Sequence, residues 1–186
     1  MAFIKTTRLW LLLIAALFGI QGAATAQDKE NMIYLELKDG RVVIETYPDK
    51  APNHVKRIKE LARAKFYDGI VFHRVIDGFM AQSGDPTGTG SGSSDKPDLQ
   101  AEFNDVKHVE GVLSMARAQN PNSANSQFFI MLASSPHLDG QYTAWGKVVE
   151  GMEFVHKIKK GSSARNGAVD DPDKIISMRV AADVDK

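Results

Sequence analysis

Phe72-His73-Arg74-Val75-Ile76-Asp77-Gly78-Phe79-Met80-Ala81-Gln82-Ser83-Gly84-Asp85 is the stretch on which the reading of this chain turns. Two runs rich in apolar residues flank Asp77-Gly78, and Asp-Gly between such runs signals a tight antiparallel turn. If both halves are strands, the period of two places Arg74, Phe79 or Met80, and Gln82 on one face. That face carries a permanent cation, large apolar surface and an amide. An apolar pocket with a few polar groups is the common form of a small binding site. Ser126-Gln127-Phe128-Phe129-Ile130 and His137-Leu138-Asp139-Gly140-Gln141-Tyr142 are two further clusters of the same character. Taken one at a time, Phe79, Phe129 and Leu138 read as ordinary core residues.

Outward from this stretch the pattern is mainly β. Residues 32–38 alternate, with Ile33, Leu35 and Leu37 on one face; Asp39-Gly40 predicts a two-residue turn, and 41–47 a second strand. Pro52 opens a helical stretch, as proline does in a first turn. Val55, Ile58, Leu61 and Ala62 share its apolar side, leaving Lys56, Arg57, Lys59, Arg63 and Lys65 largely to water. Further strands are predicted over 71–75, 79–84, 111–115, 128–132, 143–149 and 175–181, with a second helix over 152–159. Eight strands with few helices suggest a closed eight-stranded antiparallel β-barrel, which leaves no exposed edge. Between Asp85 and Glu110 the periodicity fails, and the run from Pro86 to Ser94 holds only Pro, Thr, Gly and Ser. A loop of that length in a compact domain is functional or disordered.

The first 26 residues read as an address. Lys5 and Arg8 precede the uncharged apolar run 9–20, and Ala24-Thr25-Ala26 is a small-x-small cleavage site. Twelve apolar residues in a helix rise about 18 Å against a hydrocarbon core of about 30 Å, too short to span comfortably. The expected organisation is a cleavable signal peptide over 1–26, a short linker over 27–31 and one domain over 32–184. The periplasm is the expected compartment, with secretion the alternative. Basic and acidic residues balance at 23 each, and losing Lys5 and Arg8 tips the chain slightly negative. That removes the basic field nucleic-acid binding uses. With Cys 0 there is neither a disulfide nor thiol chemistry. Export argues against ATP or NAD as cofactor.

Chemistry that breaks bonds finds no motif. No serine sits in G-x-S-x-G, although His73 and Asp85 are available to a triad. His54, His73, His108, His137 and His156 lack the H-E-x-x-H pairing of a metal site. The glycines from Gly84 to Gly92 lack the lysine of a phosphate loop, and Lys96-Pro97-Asp98 opposes the helix a dinucleotide loop would need.

Together, the Phe72–Asp85 stretch, Gly88-Thr89-Gly90, Leu113-Ser114-Met115-Ala116, Ser126-Gln127-Phe128-Phe129-Ile130, Leu138-Asp139-Gly140 and Gly146-Lys147-Val148 resemble a cyclophilin. These are the cyclosporin-binding peptidyl-prolyl cis-trans isomerases. The resemblance runs from about residue 32 to 180 and implies an eight-stranded barrel capped by two helices. It implies that Arg74 is the catalytic arginine and that Phe79, Met80, Phe129 and Leu138 line a proline pocket. Gln82 and Gln127 would hold the substrate backbone, and the Gly88 loop with Ala116-Arg117-Ala118 would border the groove. No cofactor or metal is implied, and the partners are proline-containing polypeptides, with no nucleic acid and, after cleavage, no membrane. Three positions depart from the family pattern. His137 stands where tryptophan often supports cyclosporin binding, which predicts weak inhibition. Tyr142 replaces a pocket histidine, and Arg117 replaces a common asparagine whose role is expected to run through the backbone. Residues 119–125 look slightly longer than in the best-known members. A monomer is expected. The rival reading is a peptide-binding chaperone or scaffold on the same fold, with incidental isomerase activity.

Overall fold

The computed structural model describes residues 29–184, so the leader expected over 1–26 lies outside the described residues. The strands are β1 (Met32–Leu37), β2 (Gly40–Thr46), β3 (Arg74–Ile76), β4 (Met80–Ser83), β5 (Val112–Met115), β6 (Phe128–Met131), β7 (Ala144–Glu150) and β8 (Ser177–Val180). The helices are α1 (Pro52–Arg63), α2 (Met152–Lys157) and a final turn, α3 (Ala181–Val184). One curled antiparallel sheet runs in the order β3-β4-β6-β5-β7-β2-β1-β8. Its end strands do not share a ladder. Main-chain bonds close the sheet instead, from Gly69 N to Ile175 O (2.8 Å), Phe72 N to Asp173 O (2.9 Å) and Ile175 N to Ile70 O (2.9 Å). This is why the strand predicted over 71–75 becomes β3 at Arg74–Ile76: residues 70–72 spend their bonds on closure.

The first hairpin turns one residue earlier than its sequence suggests. Leu37 pairs with Gly40, leaving Lys38 and Asp39 as the turn. Only glycine fits at position 40 of the ladder, since the Phe154 ring of α2 lies where a Cβ would be, at 2.5 Å.

Helix α1 begins on Pro52 with no capping side chain of its own. Glu102, from the long loop, supplies that function. Its carboxylate accepts from Asn53 N and His54 N, both at 3.1 Å, and meets His54 Nδ1 at 2.6 Å. A carboxylate there also suits the positive end of the helix. Val55, Ile58, Leu61 and Ala62 are buried as expected, but so are Arg57 and Lys59. Arg57 Nη2 donates to Pro97 O at 2.9 Å and Lys59 Nζ to Asn31 Oδ1 at 3.0 Å. Their apolar stems lie along the barrel while their charged ends reach polar oxygens.

Alternation in β4, β5 and β6 builds two cores. Ala81, Leu113, Phe128 and Ile130 point into the barrel beside Trp145 and Tyr67. There the Phe128 ring meets Trp145 and Tyr67 edge-on, at 5.9 and 5.6 Å between centroids. The opposite face carries Met80, Val112, Phe129 and Met131, which pack with Leu138 and Ala144 into a second cluster outside the barrel. Strands covered on both faces read as continuous apolar runs, as in Phe128–Met131. The second cluster is the floor of the site.

Candidate active site

The hairpin of β3 and β4 pairs Arg74 with Gln82 and Ile76 with Met80, leaving Asp77, Gly78 and Phe79 as its loop. Arg74, Met80 and Gln82 therefore share the outer face, and Phe79 reaches it from the loop. A cavity of about 510 Å³ opens there. Its lining unites Arg74, Phe79, Met80 and Gln82 with Ala116 and Arg117 after β5 and with Phe129 on β6. His137, Leu138, Gln141 and Tyr142 complete it from the turn that precedes β7. A second cavity, about 330 Å³, adjoins it and holds Ala118 and Gln127. Gln82, Ala116 and Arg117 belong to both.

One expected residue is elsewhere. Gly88 lies against Val71, where a Cβ would come within 3.1 Å of Val71 Cγ2, and it lines neither cavity. The stretch of that loop that borders the groove is Gly90 to Ser93. The reason is Asp85, which gathers the loop around its buried carboxylate and turns Gly88 away from the groove.

Arg74 is held at three points. Nη1 donates to Gln82 Oε1 at 3.2 Å, Nε to Asn166 O at 3.0 Å, and Nη2 to Asn166 Oδ1 at 2.9 Å. Asn166 offers both oxygens because its backbone is left-handed, at φ 53°, a conformation asparagine tolerates better than most residues. Gln82 Nε2 in turn donates to Gln127 Oε1 at 2.9 Å, and Gln127 Nε2 to the carbonyls of Gly90 (3.0 Å) and Gly92 (2.8 Å). Partial burial lowers the affinity of the Arg74 guanidinium for its proton, with Tyr142 opposing that effect. An arginine nevertheless stays charged at working pH. Sequence reasoning missed Asn166 and the cavity-lining Gln141 as site residues. Asn166 sits in Arg165-Asn166-Gly167, far from every motif, with no signal beyond its tolerance of a turn.

The apolar wall is braced from behind. Phe129 meets Tyr142 edge-on, with centroids 5.6 Å apart, and Phe79 stacks on the exposed His137 ring at 5.9 Å. The buried His108 ring lies 6.4 Å from Phe129, with Nδ1 3.1 Å from Asp139 Oδ1 and Nε2 2.8 Å from Ser114 Oγ. Burial lowers the pKa of His108, although Asp139 pulls the other way. Ser114, His108 and Asp139 thus form a serine–histidine–aspartate chain, yet Ser114 is fully buried and lines neither cavity. Its hydroxyl cannot meet a substrate there; the chain joins β5, the loop before it and the Leu138 turn, with the His108 ring against Phe129 of β6.

Arg117 also differs from expectation. Its side chain, not only its backbone, is part of the site: the guanidinium lies 4.6 Å from the Tyr142 ring centroid and Nη2 donates to Gln141 O at 3.0 Å. Among the described residues, no group of three His, Asp or Glu is placed to hold a metal ion, and no helix is long and apolar enough to cross a membrane.

The chain matches the family model of cyclophilin type peptidyl-prolyl cis-trans isomerases over residues 32–180. It is 51% identical to a probable peptidyl-prolyl cis-trans isomerase of Brucella abortus, across 98% of this chain and 99% of the relative. It is 43% identical to peptidyl-prolyl cis-trans isomerase B of Bacillus subtilis, across 69% of this chain and 90% of that one. Among solved structures, a cyclophilin from Hirschia baltica superposes with TM-score 0.74 at 30% identity, covering 82% of this chain and 74% of its own. A Cryptosporidium parvum cyclophilin-type isomerase, crystallised in the presence of the dipeptide Ala-Pro, gives 0.73 at 30% identity, covering 80% of this chain and 98% of its own.

Proposed function

The chain belongs to the cyclophilin-type peptidyl-prolyl cis-trans isomerases, and on that premise we propose how its residues perform the reaction and where. Rotation about a peptide bond faces a barrier of roughly 18–20 kcal/mol because resonance flattens the amide. Both isomers of an X-Pro bond are accessible, yet exchange takes tens to hundreds of seconds. No bond is broken, so the site has only to bind the twisted amide better than either planar form. Twisting returns the lone pair to the prolyl nitrogen and makes it a hydrogen-bond acceptor. Arg74 donates to it, while Phe79, Met80, Phe129 and Leu138 hold the proline ring and Gln82 and Gln127 hold the backbone.

The observation that carries this reading is the Arg74 guanidinium, anchored at three points beside Phe79, Met80, Phe129 and Leu138 in one cavity. A guanidinium has five N–H donors, so donors remain for substrate. Turnover of a short X-Pro peptide by wild type and the Arg74→Ala variant is the direct test.

Asn166→Gly isolates the anchor. Glycine keeps the left-handed backbone and the carbonyl, removing the side-chain amide and with it Oδ1. The expected result is a fall in kcat/KM of about tenfold, the worth of one charge-assisted hydrogen bond, with the unfolding midpoint close to wild type. Wild-type turnover would show that Arg74 needs no second anchor. For His137, the expectation is inhibition by cyclosporin only at micromolar or higher concentration in a titration of the same assay; nanomolar inhibition would overturn it.

The reaction serves the folding of exported proteins. This rests on the basic, apolar and small-residue order of 1–26. The match to the Brucella relative over 98% of the chain also has to include most of that leader. Cell fractionation with N-terminal sequencing tests it: the expected product begins at Gln27 in the periplasm, and a cytoplasmic product retaining Lys5 and Arg8 would refute it.

A further inference from the structure

Two guanidinium groups stand in the larger cavity, and no carboxylate lines it. Arg74 bonds to neutral oxygens, those of Asn166 and Gln82. Arg117 likewise donates to the carbonyls of Ala118 (2.9 Å), Gln119 (3.3 Å) and Gln141 (3.0 Å) and lies over the Tyr142 ring. Neutral acceptors orient a cation without cancelling its charge. The one carboxylate lining the smaller cavity, Asp98, accepts from Asn125 Nδ2 at 3.0 Å. Arg117 belongs to both cavities, so a peptide lying across the groove passes it. The larger cavity therefore bears charge of one sign, and such a cleft concentrates its field on whatever enters.

Proline itself is uncharged and fills the apolar pocket alike in every substrate. Discrimination therefore falls to its neighbours. Resting on the isomerase reading above, we propose that this groove selects proline segments with an acidic side chain adjoining the proline and disfavours basic ones, with Arg117 as the specificity-determining residue. Attraction of one sign and repulsion of the other both contribute, as specificity usually requires.

The test compares kcat/KM, read by exchange NMR without an auxiliary protease, for peptides with Glu, Ala or Lys next to proline. One set carries the variable residue before proline and a second set after it, at pH 8, above the ordinary histidine range. At low salt the Glu peptide is expected to exceed the Lys peptide by about tenfold in at least one set, with the ratio shrinking at high salt. Arg117→Gln is expected to cut that ratio to about threefold, since Arg74 remains, and Arg117→Lys to preserve it. The lysine variant keeps the charge but not the planar fork, so its folding and its ratio separate charge from packing. A ratio near one in both sets, or one that neither salt nor Arg117→Gln alters, overturns the proposal. Turnover of the Ala peptide with flat ratios overturns selection alone; absence of turnover from every peptide overturns the isomerase reading with it.

Discussion

Arg74→Ala is expected to lower kcat/KM for an X-Pro peptide by about a hundredfold or more, the usual cost of deleting a donor aimed at transition-state charge. That factor is about 2.7 kcal/mol of the barrier. The loss falls on kcat, because the prolyl nitrogen accepts strongly only once the amide has twisted. The fold is expected to survive. Arg74 is itself only half-buried, and the oxygens it leaves behind, on half-buried Gln82 and exposed Asn166, can turn to water. Circular dichroism and the unfolding midpoint should therefore match wild type. Arg74→Lys is expected to fall between the two, since an ammonium keeps the charge but cannot span Asn166 and Gln82 together. Wild-type turnover by the alanine variant would sink the mechanism.

The second large effect is on stability and its pH dependence, at Asp85. This carboxylate is 1% exposed. It accepts from Thr87 N (2.7 Å), Thr87 Oγ1 (2.8 Å), Thr89 N (3.0 Å) and Gly90 N (2.6 Å). Burial pushes its pKa up, but the hydrogen bonds from Thr87, Gly92 and Gly90 outweigh that and hold it at about 2. An unfolded aspartate titrates at about 3.9. The folded value is the lower one, so the stabilisation is complete above about pH 4 and is lost as pH falls towards 2, roughly 2–3 kcal/mol in all. Asp85→Asn places an NH2 group among these donors and is expected to cost about 2–3 kcal/mol near neutral pH. Urea unfolding at pH 7 and pH 2.5 checks it, because the gap between wild type and variant should narrow at the lower pH. A gap of the same size at both pH values would refute the assignment. The loop that Asp85 gathers carries the Gly90 and Gly92 carbonyls that hold Gln127, so the variant is also expected to weaken peptide binding.

Much of the architecture is legible in the sequence because it is local. Alternation in 32–38 and 41–47 predicts β1 and β2, and Pro52 marks the start of α1, because strand period and proline geometry act over a few residues. Local periodicity misplaces the edge of β3, where closure by Asp173 and Ile175 competes for the bonds of residues 69–72. It also sends Arg57 and Lys59 to water, since a helical wheel carries no record of the Pro97 carbonyl or the Asn31 side chain. For the site, the Phe72–Asp85 stretch is enough to put Arg74 and Gln82 on one face, as their pairing across β3 and β4 bears out.

The set of elements, the family and the kind of side chain available to the reaction can all be read along the chain. Those depend on short-range periodicity and on motifs contained within single segments. Which segments meet is a property of the folded molecule. Folding brings Asn166 to Arg74 across 92 residues and Glu102 to the start of α1 across 49. It turns Gly88 out of the groove and lays the Arg117 guanidinium on Tyr142. Contacts of that range exist only once the sheet has curled and closed, because no local preference encodes the distance between residues that far apart along the chain.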